Sequence, residues 1–550
     1  MDKQKTTPQK IILAFTILVF AVFLVFPMLI IVETSMIDNG TFTLEAYSNL
    51  FKENGLGEAL KNSVLISSIS ALLTTVLAFI PAYAINYTNI NKNVKKVFST
   101  FIMFPMLLPT ITYGFAMMYS YGNAGLITRI FGFRIFDIYG VAGLVMGYVI
   151  YTLPISFMLI NNNMSYIDKK FMIVSRLLGD SSVKNFFVTV LRPLVSTLAI
   201  SFIQSFTLSF TDYGIPAALA GNVELVSTKL YNAMLGSLPN FNSGSAISVI
   251  MLLPSVISIL IIGWLNRYNI RYSKISKIEL NKNKLRDTVF GVLTSILILI
   301  ILSVFVVIFM VPFTTQWPYY LHFTFDTVIK VLSDNSLMKV YQNSLFVSIS
   351  TALLGTLIVY GNALISARKN PFQKWGKLPD AVSLITNTIP GMVLGVGYMM
   401  AFKGTVLQNT FPILILCNVV HFYSSPYLMV KGSLEKLNSS WETTARLMGD
   451  SWMKTVLRII TPNVWPTLLE AFSYFFVNSM VTVSAIIFLA GTRTMIITAK
   501  IKELQHFAKF NEIFVLSILI LLTNLLMKGI VKTLASAKNK KISKQKGKRL

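Results

Sequence analysis

The sequence predicts an all-α, polytopic membrane protein of about twelve transmembrane helices, arranged as two parallel six-helix repeats with both termini cytoplasmic. Three observations predict it. The 550 residues are 54% hydrophobic and only 13% charged, against roughly 25% charged in a soluble domain. Charge-free runs long enough to cross a bilayer, about 20 residues, recur along the whole chain. The second half repeats motifs of the first in the same order. This composition excludes a disordered chain, a disulfide scaffold and an ordinary cytosolic enzyme.

The expected spans in chain order begin with Ile11–Val32, Asn62–Asn91, Val97–Thr128, Ile138–Ile167, Pro193–Thr211 and Leu230–Asn266. Six more follow: Thr288–Phe325, Val340–Ala367, Ala381–Phe402, Gly404–Val430, Ile459–Thr492 (interrupted by Glu470) and the short Ile513–Met527. Lys528 and Lys532 can snorkel from the end of the last. The first run is too long for the core of a signal peptide, and Glu33–Met36 lacks a small-x-small cleavage pattern, so it reads as a retained span.

Orientation comes from the Lys/Arg bias. With the N-terminus inside, segments 1–10, 86–96, 162–193, 266–287, 368–380, 431–462 and 528–550 face the cytoplasm. They hold 36 of the 48 Lys+Arg and nine of the 22 Asp+Glu, so the inside carries +27 and the remainder −1. The net charge of +26 is a topology signal, and no nucleic-acid partner is expected. The basic tail Lys538–Arg549 fits anionic membrane lipid instead.

The duplication is explicit. Asn62–Ile85 and Asn343–Ser366 share eight of 24 residues at an offset of 281, which also pairs Pro109 with Pro390, Gly114 with Gly395 and Met118 with Met399. Farther on, Arg176–Lys184 (RLLGDSSVK) matches Arg446–Lys454 (RLMGDSWMK) at an offset of 270. An even number of spans per repeat makes the halves parallel, with a pathway expected at their interface. The domains are therefore residues 1–265 and 288–534, a basic linker at 266–287 and a basic tail at 535–550.

The repeated cytoplasmic loop carries the most information. Each copy places a helix-compatible stretch before Gly179 or Gly449 and a second after it, with Pro193 and Pro462 expected where the next span begins. The glycines supply the backbone angles of a tight turn. Asp180-Ser181 and Asp450-Ser451 suit a helix N-cap. Leu177, Leu178, Val183 and Phe186 are expected to form one apolar edge, flanked by Arg176, Lys184 and Arg192. These elbows resemble the EAA loop of ABC importer permeases, whose pattern is E-A-A-x3-G-x9-I-x-L-P. Thr443, Thr444, Ala445, Gly449, Ile459 and Pro462 take its places in half two. In half one Ile173, Val174, Ser175, Gly179, Thr189 and Leu191 do, with Arg192 at the proline place. Neither half has the Glu at its place; Glu442 comes one residue early.

The resemblance covers essentially the whole chain. The chain looks like the fused permeases serving ferric iron, aminoalkylphosphonate, thiamine or polyamine-type importers, a resemblance that implies a type I importer fold. It implies two copies of a separate ABC ATPase subunit docking at the elbows through Arg176, Gly179, Asp180, Ser181, Lys184, Arg446, Gly449, Asp450, Ser451, Trp452 and Lys454. It also implies an extracytoplasmic solute-binding protein. The chain has no G-x4-G-K-[ST] loop, so ATP and Mg are expected on the partner and no cofactor on this chain. A small charged solute is expected, ferric iron or 2-aminoethylphosphonate.

Ionisable residues within spans are functional candidates. Asp212 and Glu470 lie in the matching fifth and eleventh spans, with Gln204, Tyr474 and Asn478 as polar neighbours; these five are the expected pathway residues. Ser209 belongs to the same set. Pro109 and Pro390 permit a bend in the third span of each half. His322, His421 and His506 fall in different segments and read as surface or packing residues, not a metal set. Cys417 reads as a small core residue. No G-x-S-x-G, G-x-G-x-x-G or C-x-x-C occurs, so no catalytic residues are expected. The alternative function, an ion-coupled secondary transporter, would favour several intramembrane acids, and this chain has few.

Overall fold

The computed structural model describes residues 7–38, 40–52, 55–268, 283–368 and 373–547. Most of the linker expected at 266–287 therefore lies outside the described residues. Among the described residues eight helices are long and apolar enough to cross a membrane: Thr7–Met36, Leu56–Tyr87, Val141–Ser165, Ser182–Thr211, Phe241–Leu265, Lys284–Phe313, Asn335–Ala367 and Phe510–Ala537. Two bent pairs act as broken spans. Lys377–Thr388 meets Gly391–Ala401 at 102°, and Phe411–His421 meets Ser424–Glu435 at 56°.

The remaining two expected spans are helical in a less regular way. The third is Lys92–Ile102, a 3₁₀ turn at Phe104–Leu107, then Thr110–Tyr121. The eleventh runs continuously over 452–481 and carries Glu470. Both third spans break at the paired prolines. Pro109 and Pro390 are extended, with ψ near 144° and 143°, and start the second piece. Proline lacks the N–H that a continuing helix would use.

Other prolines are absorbed instead. Pro27, Pro193 and Pro462 each follow a π turn, at Ala21–Val25, Phe187–Leu191 and Val456–Ile460. The wider turn relieves the clash of the ring with the carbonyl four residues back. Pro193 and Pro462 therefore do not mark where a new span starts. The short helix after each elbow and the following span are one continuous helix.

The first helix of each half lies against the other half. Thr7–Met36 packs on half two: Tyr398 Oη donates to the Phe23 carbonyl at 2.6 Å, and a Cβ on Gly397 would stand 2.9 Å from Met28. Lys284–Phe313 packs on half one, where Tyr121 and Ser303 hydroxyls lie 2.8 Å apart and Tyr113 meets Phe305 edge-on at 5.5 Å. Each first helix ends in a small antiparallel hairpin, Ile37–Asp38 with Thr41–Phe42 and Thr314–Gln316 with Tyr320–Phe323.

Within a half, spans approach through small hydroxyl residues, which serve membrane helices where apolar burial gives no preference for protein over lipid. Thr74 and Thr152 are 2.9 Å apart, and Ser156 and Ser205 2.7 Å. Cys417 is fully buried, as expected of a small core residue.

Candidate translocation site and coupling elbows

The elbows share one geometry. In the first, helix Lys170–Leu177 ends with Gly179 at φ +81°. Asp180 N–H donates to the Ser175 carbonyl at 3.1 Å and Gly179 N–H to that of Arg176 at 3.0 Å, a Schellman closure that needs the left-handed residue. In the second, Gly449 has φ +80° and Asp450 N–H donates to the Ala445 carbonyl at 2.9 Å. Ser181 and Ser451 then cap the next helix, each accepting the N–H three residues on (Lys184, Lys454) at 3.3 Å.

Asp180 pairs with Lys184 at 2.6 Å, and Asp450 pairs with Lys454. The Lys184 and Ser175 hydrogen bonds hold the Asp180 carboxyl below the ordinary carboxylate range. Trp452 is half-buried at the first position of its helix. Arg176 is an exposed residue of the last turn of its short helix, and Arg446 lies on the matching helix Ser440–Leu447, its side chain outside the described part.

At the tip, Leu177 is 82% and Leu447 84% exposed, and Leu178, Val183 and Met448 are nearly as open. These side chains leave an open apolar tip at each elbow. Phe186 does not belong to this edge. It turns inward, its ring edge-on to Phe79 at 6.1 Å and Tyr83 at 5.7 Å, because the helix after Ser181 runs on without a break and carries that face against the second span.

The second elbow has an anchor that sequence reasoning missed. Arg368, at the end of the eighth span and 5% exposed, binds both carboxylate oxygens of Glu442 at 2.6 Å. It also donates to the carbonyls of Leu434, Leu437 and Asn438. The early position of Glu442 is thus the position from which it reaches Arg368. In half one, Tyr87 takes the place of Arg368, and Lys169 Nζ instead donates to the Asn86 carbonyl at 2.6 Å.

Between the halves lies a cavity of about 270 Å³, lined from both by Gln204, Asp212, Tyr474 and Asn478 together with Tyr151 and His421. Four of the five expected pathway residues meet here. Glu470 does not line it. It is exposed, one helical turn nearer the second elbow than Tyr474 on the face that continues through Asn478. Ser209 is buried outside the cavity lining.

Asp212 is 8% exposed and ends the helix Ser182–Thr211 in extended conformation, accepting the Ile215 N–H at 2.9 Å. His421, read with the other two histidines as a surface or packing residue, packs on Phe422 and also lines this cavity. It is half-buried at the bend of the tenth span, and its Nδ1, itself shielded from solvent, has no hydrogen-bond partner among the described residues. An isolated His in an apolar run gives no periodic signal. Pro390 lines the cavity too, so the break in the ninth span helps to shape it.

The duplicated Asn-Ser pairs explain themselves at the ends of the spans remote from the elbows. Asn62 and Asn343 donate to the carbonyls of Glu224 and Met495. Ser63 and Ser344 accept the N–H groups of Val226 and Ile497 at 3.0 and 2.7 Å. Each pair holds the start of an outer helix, Val226–Leu235 or Ile497–His506, whose first N–H groups have no partner within the helix. Gly114 and Gly395 are equally specific. A Cβ would lie 2.4 Å from Ala218 Cβ at the first and 2.3 Å from the Ala485 carbonyl oxygen at the second, so both third-span pieces sit tightly on the segment that follows the fifth or eleventh span.

Residues 75–272 and 360–540 each match the sequence model of one family, described as binding-protein-dependent transport system inner membrane component. Among curated relatives, a putative ferric transport system permease protein of Haemophilus influenzae is 26% identical over 87% of this chain and 78% of its own. A ferric transport system permease protein of Actinobacillus pleuropneumoniae is 26% identical over 88% and 72%. A spermidine/putrescine transport system permease homologue of Mycoplasma pneumoniae is 23% identical over 42% of this chain and 77% of its own.

Proposed function

Because the chain belongs, through both halves, to the binding-protein-dependent transport system inner membrane components and is a multi-pass protein of the cell membrane, we propose that it is the translocation subunit of an ATP-binding-cassette importer. In this reading each elbow receives one copy of a separate ATPase subunit, which holds ATP and Mg, and an extracytoplasmic binding protein delivers the solute. The observation that carries it is the pair of matching Gly-Asp-Ser elbows that leave Leu177, Leu178, Leu447 and Met448 exposed.

The helix after each elbow supplies a mechanism. Ser182–Thr211 starts at the first elbow and ends at Asp212 in the wall of the central cavity; 452–481 does the same in half two, ending at Thr482. At 1.5 Å per residue each is a lever of about 45 Å. Closure of the ATPase pair would draw the elbows together and move both ends of the cavity wall at once.

Ferric iron is the favoured solute, because the two relatives that span most of the chain are named for ferric transport; 2-aminoethylphosphonate is the competitor. Proteoliposomes holding the chain with its ATPase and binding protein should take up radioactive iron on addition of internal ATP. Asp212→Asn should lower that uptake while leaving the complex assembled. Uptake of the phosphonate and not of iron would overturn the assignment.

A further inference from the structure

Outside the Asp212 wall lies a second space, an outer cleft of about 770 Å³. Asp212 lines the central cavity and its neighbour Tyr213 lines the cleft, so the backbone at 212–213 partitions them. The rings of Tyr213 and Tyr231 stack with centroids 4.5 Å apart. Lys502, from the other half, places Nζ 5.7 and 5.6 Å from the two centroids.

The hydrogen bond of Lys502 goes to a neutral acceptor, Gln505 Oε1, at 2.8 Å. Its neighbour Glu503 is taken by Lys500 at 2.6 Å, and among the described residues no carboxylate comes within ion-pair distance of Lys502. Burial pushes its pKa below the usual lysine value. Lys229 and its ion-pair partner Glu224, 2.7 Å away, both line the same cleft, along with His506 and Asn232, so the charge of Lys229 is already matched there.

The duplication gives the arrangement its meaning. Helices Val226–Leu235 and Ile497–His506 are repeat counterparts with matching caps, and Lys229 corresponds to Lys500. Lys502 then stands where half one has Tyr231, and these two counterparts face each other across the halves. A latch would need only that contact; the open cleft leaves the cation and the polar side chains beside it room for a ligand.

We propose that this cleft is an oxyanion seat, in which Lys502, with the polar side chains beside it, holds a phosphate, a phosphonate or the carboxylates of a metal chelate before the partition opens. The inference rests on the importer reading and deepens it. A cationic seat outside and a carboxylate inside suit cargo that carries both signs, a cation together with an oxyanion. A desolvated cation gains most from an anionic acceptor, since charge-assisted hydrogen bonds are about twice as strong as neutral ones.

The test uses the full chain purified in detergent micelles, without ATPase. Its lysines are labelled with an amine-reactive reagent, and labelling is read residue by residue by mass spectrometry with inorganic phosphate, citrate or ferric citrate present. Each probe that binds should slow labelling of Lys502 relative to exposed Lys52. Protection by phosphate identifies a free oxyanion as the ligand, and protection by ferric citrate beyond citrate alone identifies a chelate. Lys502→Gln should weaken phosphate binding about tenfold or more, the worth of a hydrogen bond to a charged group, and Lys502→Arg should restore it. If labelling of Lys502 and Lys52 slows equally, or Lys502→Gln binds phosphate like the parent, the contact is a latch and the seat is refuted. Protection without ATP-dependent uptake would leave the seat standing and remove the importer reading instead.

Discussion

Gly179→Ala adds one methyl group at the turn of the first elbow. At φ +81° a Cβ would meet nothing within 4 Å, so crowding contributes nothing and the cost is conformational. A left-handed residue other than glycine costs roughly 1–2 kcal/mol, and one to two kcal/mol is a factor of about 5–30 in the population of a state. The elbow-competent conformer should fall by that factor, and the affinity of the ATPase subunit for the first elbow with it. Gly179→Asn should lose less, because Asn tolerates the left-handed region. Gly432→Ala, a glycine with equally open surroundings inside helix Ser424–Glu435 and without positive φ, should leave binding unchanged. Equilibrium binding of the purified ATPase subunit to the permease in micelles, with the second elbow disabled by Leu447→Ser and Met448→Ser, reads the effect. Equal affinity for glycine, asparagine and alanine at 179 would refute the turn geometry as the source of docking.

Three further outcomes follow from the same geometry. Arg368→Ala strips a buried carboxylate of its cation and three carbonyls of their donor, so thermal unfolding in micelles should register a loss of about 3–5 kcal/mol, the range for breaking a buried pair; Arg368→Ala with Glu442→Ala should lose less. Ser344→Ala leaves the Ile497 N–H without its acceptor, worth about 1–3 kcal/mol, and hydrogen exchange at that amide should accelerate while Ser63 keeps Val226 protected. Gly395→Ala cannot fit with Ala485 O at 2.3 Å; cysteine accessibility at Ser484 should rise as the segment after the eleventh span is displaced.

The span positions and the two elbows were legible in the sequence because each rests on local information: apolar run length, and a Gly-Asp-Ser repeated at the same topological place. Asp212, Gln204, Tyr474 and Asn478 were legible because polar residues in a span are rare. What stayed hidden depends on contacts between distant segments. The exchange of the first helices leaves no local trace, since a span reads the same whichever half it lies against. Arg368 counted only as one more cytoplasmic cation until Glu442 was found in its reach. The Asn-Ser repeat was visible as identity, but not as a pair of caps for helices about 160 residues away. Phe186 and Glu470 were misplaced for a simpler reason. Their rotation about the helix is set by the continuous run past Pro193 and Pro462, which a sequence containing those prolines does not suggest.

The central claim is that movement of the solute is driven by an ATPase bound at these two elbows. Its most direct measurement is solute uptake by proteoliposomes containing the chain, its binding protein and its ATPase, compared with the same vesicles carrying Leu178→Asp and Met448→Asp together. The account predicts ATP-dependent uptake that the paired substitution abolishes along with ATPase retention. Uptake by the chain alone, driven by a proton or sodium gradient and indifferent to the elbow substitutions, would contradict it.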